Sequence, residues 1–299
     1  MLQAPDRASF RWLATSITIS TMFMSLLFVV PAVQAAARPP VSPPPETSPT
    51  PAPTYPLTPN SLQIPVLYVA VIFFVLDFAL WALPGARLVI APFKLLTIGW
   101  HELCHMLVAL LTGGEIISVS IDPNNGGCTR VEGGTPAAIL SAGYIGSTLF
   151  GAGLILGGFD ILAAKICSFV IAAGLAIPLI LVRDKLTIIL TVFYEGLLVG
   201  FWFIDHGSAL RWYCLFVGIM NVFFALWDYL DDAYFKKAND SDCTQYSLLY
   251  PKTKPNHWAL VWVTFEIIIF IGFILLGIAE LKRTEDQMYS EAASFLPTR

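Results

Sequence analysis

Seven apolar segments follow one another along the chain, at Leu62 to Leu83, Pro92 to Thr112, Pro136 to Gly158, Phe159 to Val182, Leu186 to Ile204, Ala209 to Leu230 and His257 to Leu281. Each is near the length that crosses a bilayer. Inside hydrocarbon only α-helices and closed barrels satisfy every backbone group, and these runs lack the alternation that barrel strands require. The expected fold class is an all-α polytopic membrane protein with about six to seven transmembrane helices. Composition agrees, since 56% of the 299 residues are hydrophobic and 13% are charged, against about a quarter charged in a soluble domain. The formal charge of −4 is spread along the chain, so no basic stripe is present to track a phosphate backbone, and nucleic acid is excluded as a partner. The lipid bilayer is the partner that composition demands. The five cysteines, at 104, 128, 167, 214 and 243, are scattered and odd in number, unlike a disulfide framework.

Ahead of the apolar body, Arg7 and Arg11 precede an apolar run from Ile17 to Val30 and small residues at Ala35 to Ala37. That layout is expected to be a signal peptide or signal anchor over 1–37, directing insertion through the secretory pathway. Residues 38–61 are rich in proline, which removes backbone donors and resists helix, and read as an extended linker. A transmembrane domain over 62–281 and a polar tail over 282–299 complete the expected organisation.

Two connections are long, 113–135 and 231–256, and these are where chemistry outside the apolar helices can sit. The first has two β-prone runs around Pro123-Asn124-Asn125-Gly126-Gly127 and reads as a short β-hairpin. Gly113 and Gly114 can end the preceding helix by supplying positive φ, which drops the hairpin beside that helix's end.

That helix carries His101-Glu102-Leu103-Cys104-His105. Residues four apart share a helical face, so His101 and His105 can present two imidazoles to one metal, with Glu102 alongside as general base. A zinc ion on two histidines and a carboxylate keeps a fourth position for water, whose pKa falls towards 7. A lone helical histidine is more often structural, but three ionisable residues inside an apolar segment are costly in lipid and are functional by default. The site is half built from sequence, and a third ligand is expected from another helix. The acidic residues in the later apolar segments are Glu195, Asp205, Asp228 with Asp231 and Asp232 just beyond, and Glu266. Asp228 is the expected third ligand, because Asn221 and Asp228 are seven apart and fall on one face of a continuous helix. The competing reading of Asp228 is a helix-end aspartate at the membrane interface.

The His-Glu-Leu-Cys-His sequence, the Gly-Gly after it, the stretch Ser141-Ala142-Gly143-Tyr144-Ile145-Gly146-Ser147 and the segment Asn221 to Asp232 together resemble peptidase family fifty, subfamily B-like proteins. The resemblance runs from about 65 to 255 and is similar to site-2 proteases in mechanism. It implies His101 and His105 as zinc ligands, Glu102 as catalytic base, Asp228 as third ligand, and a membrane protein as substrate. One departure stands at Trp227-Asp228-Tyr229, which lacks the Pro and Gly that better known site-2 proteases carry there.

Gly143, Ser147 and Gly151 form a small-residue stripe that lets their helix approach a neighbour closely, with the histidine helix as the expected partner. The expected function is a zinc-dependent intramembrane endopeptidase acting on membrane-embedded or juxtamembrane segments. A catalytically silent scaffold or chaperone of the same fold is the alternative, since fold does not fix function. A transporter would account for Asp77, Glu195, Asp205 and His206 but gives no reason for the histidine spacing.

Overall fold

The computed structural model describes residues 57–83, 85–122, 126–177, 185–235 and 239–295. The expected signal segment and most of the expected linker therefore lie outside the described residues, as do residues 123–125 of the hairpin and Lys236 and Lys237. Asn60 Oδ1 accepts from the backbone N–H groups of Leu62 and Gln63, just ahead of α1 (Ile64–Ala82). A four-residue turn, α2 (Ala86–Val89), leads into α3 (Ala91–Leu111). The hairpin follows as β1 (Gly114–Asp122) and β2 (Gly126–Gly133), antiparallel, with Gly114 opposite Gly133 and Asp122 opposite Gly126. Then come α4 (Pro136–Phe159), α5 (Ile161–Ala176), α6 (Lys185–Phe203), α7 (Leu210–Val222), α8 (Phe224–Ala233), α9 (Asp242–Leu249), α10 (Pro255–Glu280) and α11 (Glu285–Phe295).

Proline and glycine punctuate these elements as their backbone chemistry requires. Pro136 and Pro255 stand first in α4 and α10, where a missing N–H costs nothing. Gly113 adopts φ +81° directly after α3, the expected left-handed stop, and turns the chain back so that the hairpin packs along the histidine helix.

Four helices, α1, α3, α4 and α10, are long and apolar enough to cross a membrane, and α7 with α8 passes as a fifth although the pair is bent by 53°. The two remaining apolar segments, α5 and Thr187–Phe203 of α6, are shorter helices. The bend matters for the site: it falls at Phe223, so Asn221 and Asp228 do not lie on one continuous helix as their spacing suggested. Asn221 instead donates to Val217 O within α7.

The core lies where α4 meets α7. A Cβ at Gly151 would come within 2.5 Å of Gly218 O, and one at Gly218 within 2.9 Å of Gly151 O, so the two backbones touch. The small-residue stripe of α4 thus has two partners: Gly143 faces the histidines of α3, and Gly151 faces α7. Around this contact, Phe73, Phe93, Tyr213 and Phe216 pack edge to face at 5.5–5.6 Å between centroids, geometry that aromatic rings favour.

Candidate metal centre

His101, Glu102 and His105 are all buried near the middle of α3, at 4–5% exposure. Their metal-ligating atoms lie within 4.8 Å of one another. The two Nε2 atoms are 2.8 Å apart. The carboxylate that reaches them is Asp242, whose Oδ2 is 3.1 Å from each Nε2. Asp242 is the first residue of α9, in the long polar connection between α8 and α10.

Asp228, the carboxylate expected here from sequence, is placed elsewhere: its Oδ2 accepts from the Tyr144 hydroxyl at 2.7 Å. The physical reason is the bend at Phe223, which redirects α8 away from the face of Asn221, while α9 delivers a different aspartate to the histidines. Sequence reasoning missed Asp242 because it searched the apolar segments. The available signal was Ser241-Asp242-Cys243-Thr244, a serine N-cap followed by an acidic first turn, and Ser241 Oγ does accept from Thr244 N.

The donor set fits a zinc ion. His105 Nδ1 lies 2.6 Å from Ile139 O, and a carbonyl can only accept, so Nδ1 carries the proton and Nε2 presents a lone pair. That lone pair faces His101 Nε2 and an aspartate oxygen at once. One N–H on His101 could serve only one of its two neighbours, whereas a cation between the three atoms serves all of them. Tetrahedral zinc at 2.0–2.2 Å from nitrogen and oxygen ligands places those ligands about 3.3 Å apart, close to the observed separations.

Glu102 points to the hairpin side. Its Oε2 accepts from the Thr129 hydroxyl at 2.5 Å, and Gly127 lies so close that a Cβ there would be 2.0 Å from Oε1. A cavity of about 520 Å³ opens beside it, with Glu102, His105, Thr129, Arg130, Asp242 and Gln245 among its walls. One wall is the run Gly127 to Val131 of β2, and Asn239 crosses to it, donating to Gly127 O at 3.3 Å. Two buried histidines with a carboxylate 3.1 Å from both, and a glutamate held by Thr129 beside a polar cleft, sit in a bundle of membrane-length helices and fit a membrane metallopeptidase fold. The chain belongs to the Peptidase M50B-like family, whose profile matches residues 65–275, and it is an integral membrane protein. M50 peptidases are generally zinc-dependent. No curated protein and no solved structure matches the chain.

Proposed function

We propose that this protein is a zinc-dependent endopeptidase that hydrolyses membrane-embedded or juxtamembrane segments of other membrane proteins. The observation that carries the reading is the convergence of His101 Nε2, His105 Nε2 and Asp242 Oδ2 within 2.8–3.1 Å, with the Glu102 carboxylate free of that triangle and facing the cleft. His101, His105 and Asp242 would hold the zinc, and when bound it supplies a Lewis acid that polarises water and the scissile carbonyl.

The chain's own residues account for the rest. Glu102 takes the proton of the attacking water and delivers it to the leaving amine, and the Thr129 hydroxyl orients its carboxylate. Ile139 O fixes the His105 tautomer. A helical peptide bond is shielded and must be extended before hydrolysis, and β2 has a single strand partner among the described residues. Its cleft-side edge can pair with an extended substrate segment by backbone hydrogen bonds.

The test is zinc content by mass spectrometry on the detergent-purified chain, with cleavage of single-span peptides co-reconstituted in phospholipid vesicles. About one zinc per chain is expected, lost in His101→Ala and Asp242→Ala and kept in Glu102→Gln, with cleavage abolished in all three. Proline at Val131 of β2 should lower cleavage without removing zinc; unchanged cleavage would refute strand pairing. A wild type that holds zinc yet cleaves nothing in the panel would favour the scaffold or chaperone reading.

A further inference from the structure

Helix α8 carries three carboxylates that hydrolysis does not use, and each is committed to a different part of the frame around the site. Asp231 accepts from Trp81 Nε1 at 2.9 Å and Arg87 Nη2 at 2.8 Å and lies 3.4 Å from Lys94 Nζ, tying α8 to α1, α2 and α3. Asp228 accepts from Tyr144. Asp232 faces the chain that enters α9: a single oxygen, Oδ2, accepts from Ser241 N at 2.9 Å, Ser241 Oγ at 2.7 Å and Thr244 Oγ1 at 2.6 Å. The next residue after Ser241 is Asp242.

An eight-residue helix such as α9 has little stability of its own, so its position is set by what it is tied to. The serine that caps it is also the serine that Asp232 holds, which fixes both the start and the rotation of its first turn. Asp228 and Asp232, four apart on one face of α8, each hold a neighbour of the metal-site residues, Tyr144 and Ser241. The ring of Tyr144 lies 5.2 Å from that of His101, and its hydroxyl, bonded to Asp228, sits 3.6 Å from the sulfur of Cys243, beside Asp242.

We propose that Asp232 is a positioning residue for the metal-ligating carboxylate: through Ser241 and Thr244 it presets Asp242 against His101 and His105. This rests on the metal-centre reading above. Partners that orient metal ligands typically change affinity by about 10–100-fold when removed. A role confined to folding would instead lower the stability of the metal-free chain and leave the affinity of the folded fraction unchanged.

The experiment is zinc affinity of the full chain in detergent, by competition with a chromogenic chelator, alongside thermal unfolding of each metal-free variant. Asp232→Asn should bind zinc about 10–100-fold more weakly, with a metal-free unfolding midpoint near that of the wild type. Ser241→Ala should weaken binding in the same direction, and the double variant should be no weaker than the more affected single variant, because the two residues act as one clamp. Should Asp232→Asn not fold, Ser241→Ala with Thr244→Val carries the test. Wild-type affinity in these variants, together with its loss in Asp242→Ala, overturns the positioning role and leaves the metal centre intact. A wild type that binds no zinc overturns both.

Discussion

A methyl group at Gly127 would lie 2.0 Å from Glu102 Oε1, and one at Gly143 would lie 2.4 Å from His101 Cε1 and 2.5 Å from His105 Cε1. The two contacts differ in what gives way. At Gly127 the neighbour is the end of a flexible side chain, so Gly127→Ala should displace the Glu102 carboxylate and leave the histidines alone. Zinc content is expected to stay at the wild-type level while cleavage falls by about 100-fold or more, since a misplacement near 1 Å costs that much. At Gly143 the neighbours are two rings, one of them pinned by Ile139 O. Gly143→Ala should therefore reduce zinc content and lower stability by about 1–3 kcal/mol from overpacking. Mass spectrometry of bound metal and thermal unfolding in detergent separate the two outcomes. At this scale the histidines and Glu102 were legible in the sequence, because four-residue spacing inside one helix fixes their relation. Asp242 was not, because its approach to them depends on how α8 and α9 turn, and a polar loop aspartate looks solvated until that turn is known.

Between elements, the hairpin was legible for a local reason: Gly113 takes the left-handed conformation its position called for, and the β-prone runs pair with each other. The break between α7 and α8 was not, because Asn221 to Asp232 contains neither proline nor glycine and the group that satisfies its backbone comes from another helix. Glu266 of α10, fully buried, accepts from Ala225 N at 2.6 Å, so a carboxyl from a neighbouring helix satisfies an amide exposed by the break. Removing that acceptor leaves a buried donor unpaired. Glu266→Leu is expected to lower stability by about 1–3 kcal/mol, whereas Glu266→Gln, which keeps an acceptor oxygen, should stay within about 1 kcal/mol of the wild type. Equal midpoints for the leucine and glutamine variants in thermal unfolding would show that the break does not depend on this cap.

Across the whole molecule, α4 has 24 residues and is about 36 Å long, with Gly143 of the metal centre in its first third and Phe159 at its other end. That far end has its own polar frame. Asp160 caps α5 by accepting from Ala163 N at 2.8 Å, Arg211 Nε donates to Gly158 O at 2.9 Å, and Lys165, fully buried, donates to Ala292 O of α11 at 2.9 Å. Helix α11 closes this end, packing Met288 and Ala292 on Ile161 and donating from the Tyr289 hydroxyl to Asp205 Oδ2 at 2.6 Å. The sequence reads 282–299 as a polar tail by composition, and that reading does not reach the docking of α11, which buries Met288 and Ala292 and is tied by a lysine and an aspartate on other elements. Deleting residues 284–299 exposes Ile161 and leaves Lys165 without the Ala292 carbonyl. The loss of two buried apolar side chains and these bonds corresponds to a fall of about 5–10 °C in the unfolding midpoint. Zinc content should not change, because among the described residues α11 packs chiefly on α5 and the turn at Asp205–Gly207, at the opposite end of α4 from Gly143. If zinc were lost together with the stability, the two ends of α4 would have to be energetically coupled, and the α4–α7 contact at Gly151 and Gly218, where one backbone cannot shift without the other, would be the place to test that coupling with Gly151→Ala.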